Sequence, residues 1–259
     1  MFYYVQSQLP DGTYLQSNND LGFSKSNHFV LGYDYLLSGN LRLKIEGYYQ
    51  ALYNIPVKQS MPEYSLLNSG VEYFVGREDS LVNKGTGENY GIELTLERFF
   101  HDKYYFLITT SIFNSVYKGY DEIERSTAFN TNFIFNAVGG YEFAIGKRKN
   151  GLLSIGFKAT WTGGRPYIPF DIDGSVLQGR EILDWGNAYT RRYKDYKRAS
   201  IRMGIKRNKK RLNIEFIFDF QYRTNYTNVY IERLDVTTGK IKNYQEMGFY
   251  PMSTWRIQF

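Results

Sequence analysis

The sequence lacks cysteine, and it has only two histidines and six prolines in 259 residues. The absence of cysteine excludes a disulfide framework and thiolate chemistry. With two histidines and no cysteine, the usual ligand set of a zinc site is missing. No stretch has about 18 consecutive apolar residues, so the sequence predicts no transmembrane helix. No window repeats apolar residues with the helical period either, and we therefore predict an all-β chain.

Aromatic residues, by contrast, are abundant. They make up 18% of the chain, mainly as 25 tyrosines and 19 phenylalanines, while charged residues still make up 22%. This combination is typical of strands with one apolar and one wet face. The formal net charge is +6, but lysine and arginine are spread along the chain among acidic residues. The densest basic run, 206–211, falls between two strand patterns and indicates a solvated turn, so nucleic acid is not an expected partner.

The clearest strand pattern covers residues 211–222. Apolar residues occupy one of its faces and polar residues the other, with Ile217 as the exception on the polar side. Similar alternation marks 28–37, 41–53, 89–97, 104–117, 131–145, 152–162, 196–206 and about 250–259. The chain therefore has about nine strands of about 10 to 14 residues, close to the length that a tilted strand needs to cross a bilayer.

The connections between these strands alternate between short and long. The short ones are Ser38–Asn40, His101–Lys103, Lys147–Asn150 and Arg207–Lys210, and the long ones are about 54–88, 119–130, 164–193 and 223–248. In an up-and-down sheet, alternate connections share an edge, so the short turns lie on one side and the long loops on the other. Outer-membrane barrels have this asymmetry, with short periplasmic turns and long extracellular loops. We predict an antiparallel up-and-down transmembrane β-barrel segment in the bacterial outer membrane.

The two faces of each predicted strand have different expected surroundings. The apolar face would meet lipid, and aromatic residues near the strand ends would form the interfacial girdles. These girdle residues are Tyr49, Tyr53, Tyr90, Tyr104, Trp161, Tyr222 and Trp255. The polar face would line a wet lumen through Arg42, Lys44, Glu46, Glu93, Glu97, Lys158, Arg202, Glu215, Asp219 and Arg256.

Three segments resemble parts of a known family. The run 83–98, in which a glycine-rich stretch enters Tyr90-Gly91-Ile92-Glu93-Leu94, is similar to a strand entry in the barrels of TonB-dependent receptors. The run 248–259 resembles the last strand of such receptors in Bacteroidota, and 164–170 is similar to loops that follow a tryptophan-bearing strand there. The first two segments are the specific ones.

This resemblance implies a barrel of about 22 strands with a plug domain folded inside it. It also implies uptake of siderophores, cobalamin, glycans or peptides across the outer membrane, driven by the TonB complex of the inner membrane. The present chain has about nine strand patterns, and we recognise neither a plug nor a TonB box in it. We therefore interpret residues 1–259 as the C-terminal portion of the barrel domain, and coupling to TonB would require the missing plug.

The closing residues Trp255, Ile257 and Phe259 resemble the signal that the barrel-assembly machinery reads on a last strand. The barrel-assembly machinery is thus an expected partner, and the resemblance to receptor barrels implies outer-membrane lipid, lipopolysaccharide and a surface lipoprotein as further partners. The first residues, Met1–Gln6, lack the basic and apolar regions of a signal peptide. The chain is therefore expected to be a processed form or a fragment if it belongs in a membrane.

No motif predicts catalysis, a cofactor or a metal. Gly85–Gly87 precedes a strand, whereas a phosphate cradle precedes a helix, so we interpret it as a turn. The run 171–174 resembles the start of a calcium loop, but the later ligands are missing and an exposed polar loop explains it. An enzyme would need His28 or His101 as its base, and both are expected near rims or turns. Asn225–Thr227 matches a glycosylation sequon and indicates a polar loop.

The long loops contain many aromatic and charged residues, a combination common in saccharide and peptide capture. They include Tyr64, Tyr73, Phe74, Arg77, Glu78, Phe170 and Arg191. Our hypothesis for ligand contacts in the extracellular loops names Arg165, Tyr167, Arg180 and Trp185.

Four functions remain open at this point. The first is uptake of a nutrient by a TonB-dependent receptor, and the second is a passive porin-type or structural barrel. An upstream plug with a TonB box would favour the receptor. The third is a barrel enzyme, which needs a buried serine or aspartate beside His28 or His101. The fourth is a soluble carbohydrate-binding module, which would have two packed sheets that bury their apolar faces against each other.

Overall fold

The computed structural model describes residues 2–8, 10–71, 76–147, 150–209, 212–222, 228–246 and 248–259. Nine strands form one antiparallel meander: β1 Lys25–Ser38, β2 Leu41–Lys58, β3 Leu81–His101, β4 Tyr104–Lys118, β5 Phe133–Ile145, β6 Gly151–Thr162, β7 Tyr196–Lys209, β8 Leu212–Tyr222 and β9 Tyr250–Gln258. Each strand pairs with the next along the chain, and a short strand, Glu124–Ser126, adds to β4. The predicted all-β, up-and-down architecture is confirmed. In the described part of the chain this sheet is open, with β1 and β9 at its edges.

Smaller elements occupy the connections and the N-terminal segment. Three two-stranded ladders pair Ser7–Gln8 with Tyr14–Leu15, Pro166–Tyr167 with Arg191–Arg192, and Val229–Asp235 with Lys240–Gln245. Turns of 3-10 helix cover Phe2–Tyr4, Leu66–Asn68 and Trp185–Asn187. Of the helices in the part of the chain that the structure describes, none has the length and hydropathy of a membrane-spanning segment.

One α-helix, α1 at Ile172–Gln178, lies in the third long connection, where the sequence predicts a loop. The Asp171 carboxylate accepts a hydrogen bond from the Gly174 N–H at 3.0 Å, and Gly179 ends the helix with φ of 65°. These are ordinary capping interactions. Asp171 and its neighbours are therefore the start of a helix and not only an exposed loop. Seven residues are too few for the helical period to stand out in the sequence.

The alternation of short and long connections is confirmed, with one correction to the first long loop. β2 extends to Lys58 and β3 begins at Leu81, so parts of 54–88 are paired strand. Gly85–Gly87 lies within β3, and its interpretation as a turn was wrong. A Cβ on Gly85 would lie 2.5 Å from Val57 Cγ1. These glycines thus permit close packing in a strand.

The strand register keeps one face apolar across all nine strands. Paired residues on this face include Ile45 with Leu94, Gly139 with Phe157, and Phe216 with Trp255. The rings of Phe216 and Trp255 are 4.9 Å apart in an edge-on arrangement. The girdle residues proposed from the sequence share this face by register, although the side chain of Tyr222 lies outside the description.

The opposite face is polar and is held together by cross-strand pairs. Arg42 contacts Asp34 at 2.5 Å and Glu97 at 3.6 Å, and Arg256 donates to Glu215 at 3.0 Å. All of the residues predicted to line a lumen share this face. The exception noted in the sequence, Ile217, is also there, and it is 5% exposed because it packs beside Gly204.

The hydrophobic core cluster lies at the long-loop end of the sheet and not against its apolar face. Its buried members are Tyr117, Ala128, Ala188 and Tyr189, with Leu67, Val71, Ile168 and Trp185 packed against them. On the apolar face of the sheet, by contrast, Ile92 is 62% exposed and Ile112 is 64% exposed. A contiguous exposed apolar surface that runs across nine strands marks an interaction site.

Candidate functional site

The four long connections pack on one another, and we call their described residues in 59–80, 119–132, 163–195 and 228–249 the loop lobe. The Ala128 N–H donates to Asn68 Oδ1 at 2.8 Å, which joins the first two connections. The Arg192 guanidinium donates to the carbonyl oxygens of Asn130 and Gly164 and joins the second connection to the third. The lobe is therefore a packed unit on the long-loop side of the sheet.

An ion pair orders the second connection locally. The Arg125 guanidinium donates to both carboxylate oxygens of Asp121, at 2.9 and 2.7 Å, and the Ile123 N–H adds a third bond at 3.1 Å. Together these bonds hold the pKa of the Asp121 carboxyl below its usual range. The carboxylate is consequently charged at neutral pH and fixes this turn.

Two glycines at the start of the third connection permit other backbone segments to approach closely. A Cβ on Gly164 would lie 1.8 Å from the carbonyl oxygen of Tyr193, and a Cβ on Gly163 would lie 2.0 Å from that of Thr131. Next to Gly164, the Tyr193 N–H donates to the Arg165 carbonyl at 3.0 Å, and Pro166–Tyr167 pairs with Arg191–Arg192. This close approach forms one wall of a pocket.

The pocket has a volume of about 270 Å³ and lies where three of the long connections meet. Val71 comes from the first, 165–193 from the third, and the hairpin strand Val229–Asp235 from the fourth. Much of the lining is aromatic: Tyr167, Phe170, Tyr189, Tyr193 and Tyr230. The rings of Tyr167 and Tyr193 stack at 4.3 Å with an interplanar angle of 17°.

Four charged side chains line this pocket, and three of them have protein contacts. Arg165 Nη1 donates to the Val71 carbonyl at 2.8 Å, and its guanidinium lies 5.6 Å from the Tyr193 ring centre. Arg233 Nη1 donates to Glu181 Oε2 at 3.0 Å, and Glu181 Oε1 accepts the Leu234 N–H at 2.8 Å. These contacts join the third connection to the hairpin.

The fourth charged side chain, Glu232, is half-buried. Within the described ranges, no hydrogen-bond donor or cation contacts its carboxyl group, and burial raises the pKa of this group. Glu232 is thus the charged group in the pocket for which the described protein supplies no counterpart.

The structure brings together two of the four ligand contacts proposed from the sequence. Arg165 and Tyr167 line the pocket. Trp185 packs against the lobe core with its ring 6.4 Å from that of Tyr64, and Arg180 is exposed and donates to Gln178 at 3.0 Å. The ligand role of all four stays a prediction. Tyr73, Phe74, Lys210, Arg211 and Asn225–Thr227 lie outside the described residues.

Sequence reasoning missed Glu181, Glu232 and Arg233. They lie far apart in the chain, and 229–235 was interpreted only as part of a loop. The usable signal was the run Val229-Tyr230-Ile231, whose residue types favour a strand, followed by the glycine-containing segment Thr237–Gly239, which favours a hairpin turn.

A barrel enzyme would need one of the two histidines as its base, and both histidines lie in strands of the sheet. His28 is inside β1, with its ring edge-on to Tyr48 at 6.4 Å, and His101 ends β3, where its Nε2 lies 3.4 Å from Asp102 Oδ2. Among the residues that the structure describes, neither histidine is hydrogen-bonded to a serine, and no group of three metal-ligating side chains occurs.

The chain is similar in fold to solved outer-membrane proteins. It matches the ferric yersiniabactin uptake receptor FyuA of Yersinia pestis with a TM-score of 0.54 at 15% identity, over 91% of this chain and 30% of that receptor. For FpvA of P. aeruginosa, bound to heterologous pyoverdines, the TM-score is 0.47 at 10% identity over 90% and 27% of the two chains. For OmpT of Vibrio cholerae it is 0.32 at 10% identity over 93% and 57%.

The likeness to FyuA shows the fold, and the chain spans less than a third of that receptor's length. No protein-family profile and no curated protein matches the sequence.

Proposed function

We propose that the chain is the C-terminal barrel portion of a TonB-dependent receptor in the bacterial outer membrane, where it takes part in uptake of a siderophore, glycan or peptide. The observation that carries this proposal is the continuous apolar face of nine meandering strands, which stays exposed while the core cluster lies at the long-loop end of the sheet. The fold match to a part of FyuA supports it.

The apolar face argues for lipid on physical grounds. Exposing it to water costs roughly 25 cal/mol for each Å² of apolar surface, whereas lipid removes that cost. The strands between β1 and β9 pair on both sides, as a membrane interior demands, and the outer edges of β1 and β9 would pair with the remaining strands of the receptor barrel. A strand crosses a bilayer with about 9–11 residues. β3 has 21 residues, so it has enough length to continue beyond the membrane toward the loop lobe.

Other parts of the proposal rest on the sequence resemblance. The segments 83–98 and 248–259 favour a receptor of the Bacteroidota type. Trp255 and Ile257 are 71% and 55% exposed on the apolar face, a position suited to reading by the assembly machinery. Lipopolysaccharide and a surface lipoprotein would meet the protein on the long-loop side, and the TonB complex would act through a plug.

The predicted topology can be tested with single cysteines, because the chain contains none. Leu177, which is 88% exposed in α1, represents the long-loop side, and Gly39 represents the turn between β1 and β2. On intact cells, a membrane-impermeant maleimide is expected to label Leu177→Cys. Gly39→Cys is expected to react only after the outer membrane is permeabilised. Labelling of both sites on intact cells would refute the transmembrane arrangement.

Energy coupling separates the receptor from a passive porin. The full-length protein would be expressed in hosts with and without TonB, and accumulation of labelled ferric siderophores, oligosaccharides and oligopeptides would be measured. We expect accumulation of one substrate class, and only in the host with TonB. Equal accumulation in both hosts, with steady conductance in a planar bilayer, would establish the porin instead.

A further inference from the structure

We infer that the loop-lobe pocket receives a cationic group, a primary ammonium or a guanidinium, carried by the transported ligand. This inference rests on the proposed uptake function, and it names a chemical class within it. The starting point is the set of four charges around one cavity, Arg165, Glu181, Glu232 and Arg233.

Three of these four charged side chains have protein partners, and the carboxyl group of Glu232 has none among the described residues. Glu181 is satisfied by Arg233 and by the Leu234 N–H. Arg165 is held by the Val71 carbonyl and the face of Tyr193. Glu232 has neither a cation nor a donor in the described part of the chain, although it is half-buried. A carboxylate withdrawn from water is costly until a donor replaces its lost hydration, and a charged donor forms the stronger bond.

The aromatic lining suits the same occupant. Ring faces of tyrosine attract cations through the ring quadrupole. Tyr167 and Tyr193 form a stacked pair in the wall, and Tyr230 lies two residues before Glu232 on the same hairpin strand. A ligand cation bound to Glu232 would therefore find aromatic surface close by.

The size of the cavity indicates an end group. Pockets that enclose a whole small ligand have volumes of about 300–1,000 Å³. The present cavity, at about 270 Å³, is slightly smaller. It accommodates one cationic end of a larger ligand, whose remainder would extend out of the pocket.

Arg165 gives the competing possibility, because its positive charge has no carboxylate partner among the described residues. An anionic end group of the ligand would bind to Arg165, whereas a cationic end group would bind to Glu232. Benzylammonium, benzyl alcohol and benzoate share one ring and differ in charge, so they distinguish the two.

The test is a saturation-transfer NMR titration of these three probes with the full-length protein in a non-ionic detergent. We expect benzylammonium to bind roughly tenfold more tightly than benzyl alcohol, the size of one charge-assisted hydrogen bond. Glu232→Gln should remove this preference, and Glu232→Asp should keep part of it. Asp173→Asn, which removes an exposed acid of α1 outside the pocket, should leave it unchanged.

Several outcomes would overturn the inference. These are tightest binding of benzoate, equal binding of all three probes, absence of binding, or a cation preference that survives in a folded Glu232→Gln protein. Folding of each variant is checked by its heat-modifiable mobility on a gel. If the full-length protein prefers the cationic probe but shows no TonB-dependent uptake, only the transport proposal is contradicted. If it takes up a substrate in a TonB-dependent way but shows no preference for the cationic probe, only the cation site is contradicted.

Discussion

Replacing Phe216 with arginine is expected to destabilise the folded protein in lipid by roughly 2–4 kcal/mol, the cost of a cation on the lipid face near mid-bilayer. Phe216 lies in the middle of β8 on the apolar face, opposite Trp255. Its ring contacts Phe218 at 4.3 Å and Trp255 at 4.9 Å. The measurement is the free energy of unfolding in lipid vesicles, from a urea titration followed by tryptophan fluorescence.

Two control variants separate lipid exposure from lost ring contacts. Phe216→Leu removes the aromatic pairs, worth about 0.5–1.5 kcal/mol each, but keeps the position apolar. Thr254→Arg adds the same charge next to Trp255 on the neighbouring strand, but on the exposed polar face. If the polar face is in contact with water, Thr254→Arg should lower the free energy of unfolding far less than Phe216→Arg does. Equal costs for the two arginine variants would mean that both faces have the same surroundings, and the membrane assignment would fail.

The strands and their faces could be predicted because both depend on a local pattern. Residues two apart share a face of a strand, so the apolar side of 211–222 was visible from the sequence alone. Even the exception at Ile217 has a local reason, since Gly204 on the paired strand leaves room for it. Short turns then determine which strands pair, and the register follows from them.

The loop lobe could not be predicted in the same way, because its contacts join distant parts of the chain. Arg165 reaches Val71 across 94 residues, and Arg233 reaches Glu181 across 52. No periodicity encodes such pairs. Composition alone identified Arg165 and Tyr167, but it could not separate them from Trp185, an aromatic residue in the same connection that packs against the lobe core. A residue's type indicates what it can bind, whereas its neighbours decide whether it is available.

The lobe also depends on backbone proximity, and Gly164→Ala is expected to open it. The added Cβ would lie 1.8 Å from the Tyr193 carbonyl oxygen, and backbone cannot yield as a flexible side chain can. Such overpacking costs about 1–3 kcal/mol or more. The strain falls where Tyr193 N–H meets the Arg165 carbonyl, so the third connection should separate there while the sheet stays folded.

Hydrogen exchange in detergent would measure this opening. A local cost of about 1–3 kcal/mol corresponds to roughly 5- to 150-fold faster exchange of the amides in 163–195, with those of β5 and β6 unchanged. Gly186→Ala is the matched control in the same connection, because its Cβ would make an ordinary contact of 3.5 Å with Asp184 Oδ1. Benzylammonium binding should weaken in Gly164→Ala and persist in Gly186→Ala, since the pocket wall is built on this backbone contact. Equal exchange in both variants would show that the lobe does not need glycine at position 164.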